Sequence, residues 1–173
     1  MACTSNREQV FTALFALVEP LQAPAGTPRP LPTATPFKTV SRRVTLPGQG
    51  PGNLDPVIQP ALMMWEQPEH TEGAERGIRI RHWPVWFVIA FRNDNREIAG
   101  ATILNPLIDA VEAALSPDDP VHNTLRLLQP QPGGQSIPLI SAGAIEGPLI
   151  KHIGDTAADG QGGAVIMFDM IVP

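Results

Sequence analysis

Two stretches of the chain carry apolar residues at the spacing of one helical face. The first begins at Ser5 and Glu8, which have the S-x-x-E form of a capping box, in which both side chains satisfy free backbone N–H groups. Pro20 and Pro24 are expected to end this helix because proline lacks a donor N–H and disfavours helical geometry in the residue before it. Its apolar stripe consists of Val10, Phe11, Leu14, Phe15, Leu17, Val18 and Leu21.

The second helix is predicted to begin near the middle of the chain. Asn105 is the expected N-cap and Pro106 the expected first helical residue, where a missing N–H costs nothing. Ser116 and Pro117 are the expected stop. The residues predicted to face the core are Leu107, Ile108, Val111 and Leu115.

The other apolar runs are short and rich in β-branched or aromatic residues, which is typical of strands. Residues 61–67 and 79–92 are expected to pair as antiparallel strands, with the polar segment PEHTEGAERG as their hairpin loop. Both alternating faces are apolar between Trp83 and Phe91, so this strand should be central and covered by helices on at least one side. Further strands are predicted at residues 37–46, 125–129, 144–152 and 164–172.

Prolines and glycines, 20 and 15 in number, concentrate between these elements. Residues 22–36 and 47–60 are predicted to be long Pro/Gly-rich loops because proline can neither donate to a sheet ladder nor sit inside a helix. Residues 131–135 and 155–163 are expected to be turns. The predicted fold is therefore α+β, a mainly antiparallel β-sheet packed by two amphipathic helices, in a single domain spanning residues 1–173.

Charge and composition exclude several classes of function. The chain has a net charge of −5 and lacks the clustered Lys and Arg that a sequence-specific DNA-binding protein needs. The one cysteine, Cys3, cannot form an intrachain disulfide. No apolar run reaches the length of about 20 residues that a membrane span needs, and the amino terminus has no apolar signal core. A soluble cytoplasmic protein with no membrane contact is expected.

The spacing of the candidate catalytic and metal-binding residues in the sequence does not match known catalytic or metal-binding motifs. The four histidines form no H-x-x-x-H pair and have no nearby cysteine, so surface or interface roles are favoured over zinc: His70, His82, His122 and His152. Asp155 and Asp159 lack the alternating acidic ligands and distal Glu of a calcium loop, which favours a plain turn. The glycines of residues 48–52 and 160–163 lack the Gly-Lys-Ser/Thr of a phosphate-binding loop.

The candidate nucleophiles and the acidic pair also lie outside any known catalytic motif. Ser41 and Ser141 have no G-x-S-x-G setting, and Cys3 has no partner base. Asp118 and Asp119 lie between prolines, which favours a solvated turn over a catalytic pair. We therefore expect no enzyme, no cofactor, and no catalytic, cofactor-binding or metal-binding residue.

Five stretches occur in the order of one known family. They are NREQVFTALFALV at 6–18, FKTVSRRV at 37–44, QPALMMWEQPE at 59–69, LNPLIDAVEAALSP at 104–117 and AIEG at 144–147 before an apolar final strand. Together they resemble the tail terminator and tail completion proteins of long-tailed bacteriophages, of the minor tail protein U type. The Pro-rich segment 22–36 and the insertion within 47–60 depart from the family's shorter pattern.

The resemblance implies a structural subunit of a ring, commonly of six copies, that caps the tail tube, stops its polymerisation and offers a surface for the head. Its expected partners are further copies of itself, the tail tube protein and the head–tail connector proteins. DNA would pass through the lumen without sequence-specific binding, and an acidic subunit suits a pore that should not grip phosphates. The expected location is the tail or neck of the virion, assembled in the host cytoplasm.

Three other interpretations stay open. The first is another neck component, such as a head-completion, connector or minor tail protein, which the sequence does not separate from a tail terminator. A small ligand-binding or enzymatic α+β domain is the second, and it requires polar groups that converge on a pocket. A Pro-rich adaptor that uses residues 22–36 as a ligand for an aromatic groove is a third.

Overall fold

The apolar runs of the sequence pair into one large sheet. The computed structural model describes residues 6–29, 31–42, 59–73, 79–93, 99–116, 125, 127–130, 136–152 and 161–172. The helical elements are α1 (Asn6–Val18), a 3-10 helix (Glu19–Leu21) and α2 (Gly100–Ala114). The strands are β1 (Thr39–Ser41), β2 (Ala61–Glu66), β3 (His70–Gly73), β4 (Arg79–His82), β5 (Val85–Arg92), β6 (Leu128–Pro130), β7 (Ser136–Pro138), β8 (Ala142–His152) and β9 (Gln161–Val172).

Seven strands form the main sheet in the order β1-β2-β5-β9-β4-β3, and β8 pairs with the other side of β9. The short parallel pair β1–β2 is the exception among otherwise antiparallel pairings. Strands β6 and β7 form a separate two-stranded sheet. The predicted α+β class, with two helices and a mainly antiparallel sheet, is confirmed.

The central strand lies where its hydrophobicity predicts. Strand β5 is hydrogen-bonded between β2 and β9, and its residues Val85, Phe87, Ile89 and Phe91 are at most 1% exposed. These side chains join one core cluster with both helices, to which α1 contributes Val10, Phe11, Leu14 and Val18, and α2 contributes Leu104, Leu107, Ile108 and Val111. Both helices therefore cover the same face of the sheet, and we call this the helix face.

The predicted strand 79–92 is broken in two by a proline. Pro84 has no N–H to donate, and the chain pairs differently on either side of it. The Trp83 N–H donates to the Met170 carbonyl at 2.9 Å, which carries the ladder to β9 across the break. Residues predicted as hairpin loop form β3 instead, because His70–Gly73 pairs with Arg79–His82.

The second helix begins earlier than its sequence signals predict. It starts at Gly100 with Ala99 as its N-cap, which makes no side-chain capping bond, and Pro106 lies inside it. Asn105 is therefore not the N-cap. The first turns are stabilised by tertiary packing, since Leu104 is fully buried, and this packing outweighs the hydrogen bond that Pro106 cannot donate. The predicted core face of α2 is confirmed.

The remaining boundaries differ by a few residues. Helix α1 begins at Asn6, and the predicted capping residue Ser5 lies outside the described residues. Strand β1 covers only Thr39–Ser41 of the predicted strand 37–46, of which residues 43–46 lie outside the described part. Residues 47–58 of the second loop lie outside it too, as do 131–135.

The loop predicted at 22–36 contains turns but no helix or strand among its described residues. Its two ends are joined by a parallel bridge between Gln22 and Phe37, where the Ala23 N–H donates to the Phe37 carbonyl at 2.7 Å. The side chain of Lys38 donates to the Thr27 carbonyl within the same loop. The loop is thus closed at its base by backbone hydrogen bonds.

The C-terminal strands are longer than predicted. Strand β8 begins at Ala142, and β9 begins at Gln161, inside the segment predicted as a turn. The turn was predicted partly from Gly163, because glycine is typical of turns. In the structure Gly163 instead lies within a strand, where the neighbouring backbone approaches closely. A Cβ on Gly163 would lie 2.4 Å from the Ile89 carbonyl oxygen of the neighbouring strand. Strand β7 was not predicted, and the predicted strand 125–129 overlaps β6.

Within the described part of the chain, no helix has both the length and the apolar character needed to cross a membrane.

Candidate functional site

The sheet face opposite the helices carries the most unusual groups of the molecule. Side chains alternate between faces along a strand, so the residues between the core positions of β2, β5 and β9 point away from α1 and α2. We call this the outer face. In contrast to the buried helix face, it combines partly exposed apolar and aromatic side chains with ionisable groups.

An aromatic pair lies on the outer face of β2 and β5. Trp65 and Trp86 are directly opposite each other in the strand register, with ring centroids 5.6 Å apart and planes at 82°. This edge-to-face arrangement is one of the favoured aromatic geometries. Trp65 nevertheless remains 38% exposed, and Met63, Ala90 and Val88 beside it form a small apolar cluster separate from the main core.

A second exposed apolar side chain lies near the opposite edge of the sheet, on the helix face, because Ile145 is the register partner of the buried Phe168. Ile145 of β8 is 41% exposed. Strand β8 pairs with β9 and with no other described strand, and outside this pairing the Gly143 carbonyl accepts a hydrogen bond from the Leu125 N–H at 2.9 Å. Trp65 and Ile145 are therefore two distinct apolar positions near opposite edges of one sheet.

A cluster of imidazoles and carboxylates lies on the outer face where β3, β4 and β9 meet. His70 and His82 are opposite each other in the β3–β4 pair, and their rings stack with centroids 4.8 Å apart and planes at 10°. Glu72 follows His70 by two residues and therefore shares its face. One ligand atom from each of these three residues lies within 4.8 Å of the others.

Asp169 of β9 fixes the inner side of this cluster. Its side chain is 8% exposed, and its Oδ2 accepts a hydrogen bond from Nδ1 of His82. The other ring nitrogen of His82, Nε2, is 3.9 Å from the Glu72 carboxylate and has no hydrogen-bond partner among the described residues. Oδ1 of Asp169 is likewise buried without such a partner.

The electrostatic environment favours a positive charge at this position. The hydrogen bond that His82 donates to Asp169 raises the pKa of His82 above its ordinary value of 6.5, and burial opposes this shift. The negative charges of Asp169, Glu72 and Glu146 raise the same pKa further. No Lys or Arg among the described residues forms a salt bridge with any of the three carboxylates. The cluster is a carboxylate-rich position with an imidazole at its centre.

Two of the four histidines dismissed as scattered are thus neighbours in the fold. Sequence analysis missed them, and it missed Glu72 and Asp169 altogether. The signal was the i, i+2 pair His70 and Glu72, but its segment was assigned to a hairpin loop, so the register that brings His82 opposite was not visible. Asp169 stood inside an otherwise apolar strand, AVIMFDMIV, and that isolated charge was the second signal.

The other sequence candidates do not join this cluster in the described structure. Ser41 ends β1, and Ser141 precedes β8, where its N–H donates to the Ile171 carbonyl at 2.8 Å. His152 is the last residue of β8. The remaining candidates lie outside the described residues: Cys3, Asp118, Asp119, His122, Asp155 and Asp159.

A shallow pocket adjoins the cluster. It has a volume of about 180 Å³ and is lined by Pro84, Trp86, Glu146, Met167, Phe168 and Asp169. Small-molecule sites usually span about 300–1,000 Å³, so this pocket is smaller than a typical ligand site. It is more readily filled by one side chain than by a metabolite.

Comparison with known proteins does not place the chain. Neither a scan against models of protein families nor a search of curated proteins found a match.

Proposed function

We propose that this chain is a structural, non-enzymatic ring subunit of a long-tailed phage that caps the tail tube, stops its polymerisation and provides the surface to which the head joins. The observation that carries the proposal is the pair of exposed apolar positions near opposite edges of the sheet, Trp65 and Ile145. The proposal of the tail terminator class in particular rests on the resemblance of the five ordered stretches to that family.

A closed ring needs two different complementary surfaces on each subunit. A heterologous contact joins one patch of a subunit to another patch of its neighbour, and rotation closes the series. Trp65 on the outer face of β2 and Ile145 on the edge strand β8 provide two such patches on opposite sides of the subunit. Aromatic residues are enriched at the centres of protein interfaces. We assign a second copy of this chain as the occupant of both patches.

The five stretches that carry the resemblance form separate parts of the observed fold. Residues 6–18 are α1, residues 59–69 contain β2, and residues 104–117 contain most of α2. The stretch 37–44 contains β1, and 144–147 lies within β8. Two of the five stretches therefore supply the strands that bear the proposed contacts, and the two helices supply the core beneath them.

The charge of the chain agrees with a DNA-conducting ring. A subunit of net charge −5 repels phosphate, so copies arranged around a lumen favour passage of DNA over its retention. The pocket beside Trp86, at about 180 Å³, gives little support to the alternative of a small ligand-binding domain. Another neck component remains the alternative of the same structural class.

A phage lysate lacking this protein tests the proposal. We expect tails of abnormal length or tails not joined to heads, while DNA replication and head filling proceed, when the lysate is viewed by electron microscopy. Supplying the Ala16→Lys variant, altered at an exposed position of α1, should restore normal particles, whereas Trp65→Lys should not. Normal head-attached tails in the absence of the protein would contradict the proposal.

A further inference from the structure

We propose that His70, Glu72 and His82 form a binding site for a divalent transition-metal ion of the zinc type, with Asp169 as the carboxylate that positions His82. The site lies on the outer face at the β3–β4 hairpin. It is independent of ring formation, since it requires only residues of one subunit.

The strand register places three ligands on one face. His70 and Glu72 are separated by one residue on β3, and His82 is the direct partner of His70 on β4. Opposite residues of antiparallel strands have their Cβ atoms about 4.5–5.5 Å apart, which suits side chains that converge on one ion. Two imidazoles and one carboxylate are the ligand set of several catalytic zinc sites, in which a water fills the fourth position.

The hydrogen bond from His82 to Asp169 orients the imidazole for metal binding. When Nδ1 carries the hydrogen that Asp169 accepts, the lone pair of Nε2 points out of the ring on the other side. That Nε2 faces Glu72 at 3.9 Å and has no hydrogen-bond partner among the described residues. Histidine ligands of metal ions usually donate their second N–H to a carboxylate or carbonyl in this way, which fixes the ring and increases its basicity.

The distances require a small movement of two exposed side chains. Zinc–ligand bonds of roughly 2.0–2.1 Å place tetrahedral ligand atoms about 3.4 Å apart, whereas the three ligand atoms here lie within 4.8 Å. The side chain of Glu72 is 66% exposed and His70 is exposed as well, so both can rotate toward an ion. His82 is 12% exposed and is held by Asp169, and it serves as the fixed point of the site.

The ligand type selects the class of ion. Imidazole nitrogen favours zinc, copper, nickel and iron, whereas magnesium and calcium prefer sets composed of oxygen. Glu72 and Asp169 bring two negative charges, and no described Lys or Arg pairs with them. Among the described residues, His82 is the one basic partner of these two carboxylates, so a divalent cation adds positive charge where two carboxylates face a single imidazole.

Titration of the tag-free full chain with zinc, by competition against a chromophoric chelator, tests the site. Cobalt(II) serves as a second probe, since a tetrahedral cobalt site absorbs in the visible range. We expect one equivalent of zinc to bind and to be lost with either His70→Ala or Glu72→Gln, both at exposed positions where folding tolerates change. The expected weakening is at least about 10-fold, the lower range seen even for loss of an outer partner.

Matched variants separate this site from adventitious binding. His122→Ala removes one imidazole elsewhere in the sequence, and Glu19→Gln removes one exposed carboxylate of the 3-10 helix. Both should bind zinc like the unaltered protein. Asp169→Asn should fold and bind zinc more weakly if it positions His82. Absence of a zinc-dependent signal, or equal binding by His70→Ala, Glu72→Gln and the two controls, would overturn the proposal.

Discussion

The two faces of one sheet are built from neighbouring residues and differ in packing and in the ionisable groups that they carry. On the helix face of β5, Phe87 and Ile89 are at most 1% exposed and pack against both helices. On the outer face of the same strand, Trp86 and Val88 remain partly exposed, and ionisable groups lie nearby. The helix face forms the hydrophobic core, and we propose the outer face as a surface for contacts with other molecules.

The difference shows what an apolar run does and does not reveal. Residues 83–91 are apolar on both alternating positions, which correctly predicts a central strand. The same run cannot reveal that α1 and α2 both pack on one side. Apolar residues on the other side are then available for an interface, since exposed apolar patches of this kind mark interaction sites.

The largest expected effect is the burial of a charge on the helix face. Leu107 of α2 is 4% exposed and belongs to the main core, so Leu107→Asp should abolish cooperative thermal unfolding measured by circular dichroism. Phe15→Asp, at a position that is only partly buried, should lower the melting temperature and leave a cooperative transition. A Leu107→Asp protein that melts like the unaltered chain would contradict the placement of α2.

Adjacent residues of β5 provide a direct test of the two faces. Phe87→Ala removes a fully buried ring and should cost about 3–5 kcal/mol of the free energy of unfolding. Val88→Ala removes two methyl groups at a half-exposed position and should cost about 1 kcal/mol. Chemical denaturation measures both values. Equal costs would show that the outer face is as tightly packed as the helix face.

At two glycines of the sheet, an added Cβ would meet a close neighbour. A Cβ at Gly163 would meet the Ile89 backbone oxygen at 2.4 Å, whereas a Cβ at Gly143 would meet the Phe168 ring at 2.8 Å. Backbone cannot yield as readily as a side chain, so Gly163→Ala should cost about 1–3 kcal/mol and Gly143→Ala less. Denaturant midpoints of the two variants give the comparison, and the reverse order would contradict the registered pairing of β5 with β9.

The smallest expected effect concerns His82 and pH. Its pKa is raised in the folded protein, so the stability that its protonation provides is complete below the ordinary value of 6.5 and is lost as pH rises through the higher folded value. The melting temperature of the protein relative to His82→Gln should therefore decrease as pH rises above about 6.5. Differential scanning calorimetry in the presence of a chelator measures this difference. A difference that grows with pH would contradict the assigned environment.

The sequence predicts the elements of this fold better than their boundaries. Periodicity located α1, the face of α2 and the central strand, because burial of an apolar stripe depends mainly on local spacing. The predicted start of α2 and the predicted unbroken strand 79–92 were wrong, because both features depend on tertiary packing that outweighs local signals. Strand β3 was missed since its residues, HTEG, are polar on both faces and exposed.

The candidate metal site could not be predicted from local sequence patterns, because its residues come together only through strand pairing. His82 and Asp169 are 87 residues apart in the sequence, and only the pairing of β4 with β9 brings them together. Spacing rules for metal sites search for ligands close in the chain. A cross-strand site becomes visible once the register of the hairpin is known, and that register depended on recognising β3.

The state of assembly of the purified protein tests the central claim most directly. Size-exclusion chromatography with light scattering and negative-stain microscopy should show rings, commonly of six subunits, for the unaltered chain and for the Ala16→Lys control. Trp65→Lys and Ile145→Lys should each remain folded monomers, because either change places a charge in one half of the proposed contact. Rings that persist in both variants, or a monomeric unaltered protein at every concentration, would contradict the assignment of the outer face and β8 as the assembly surfaces.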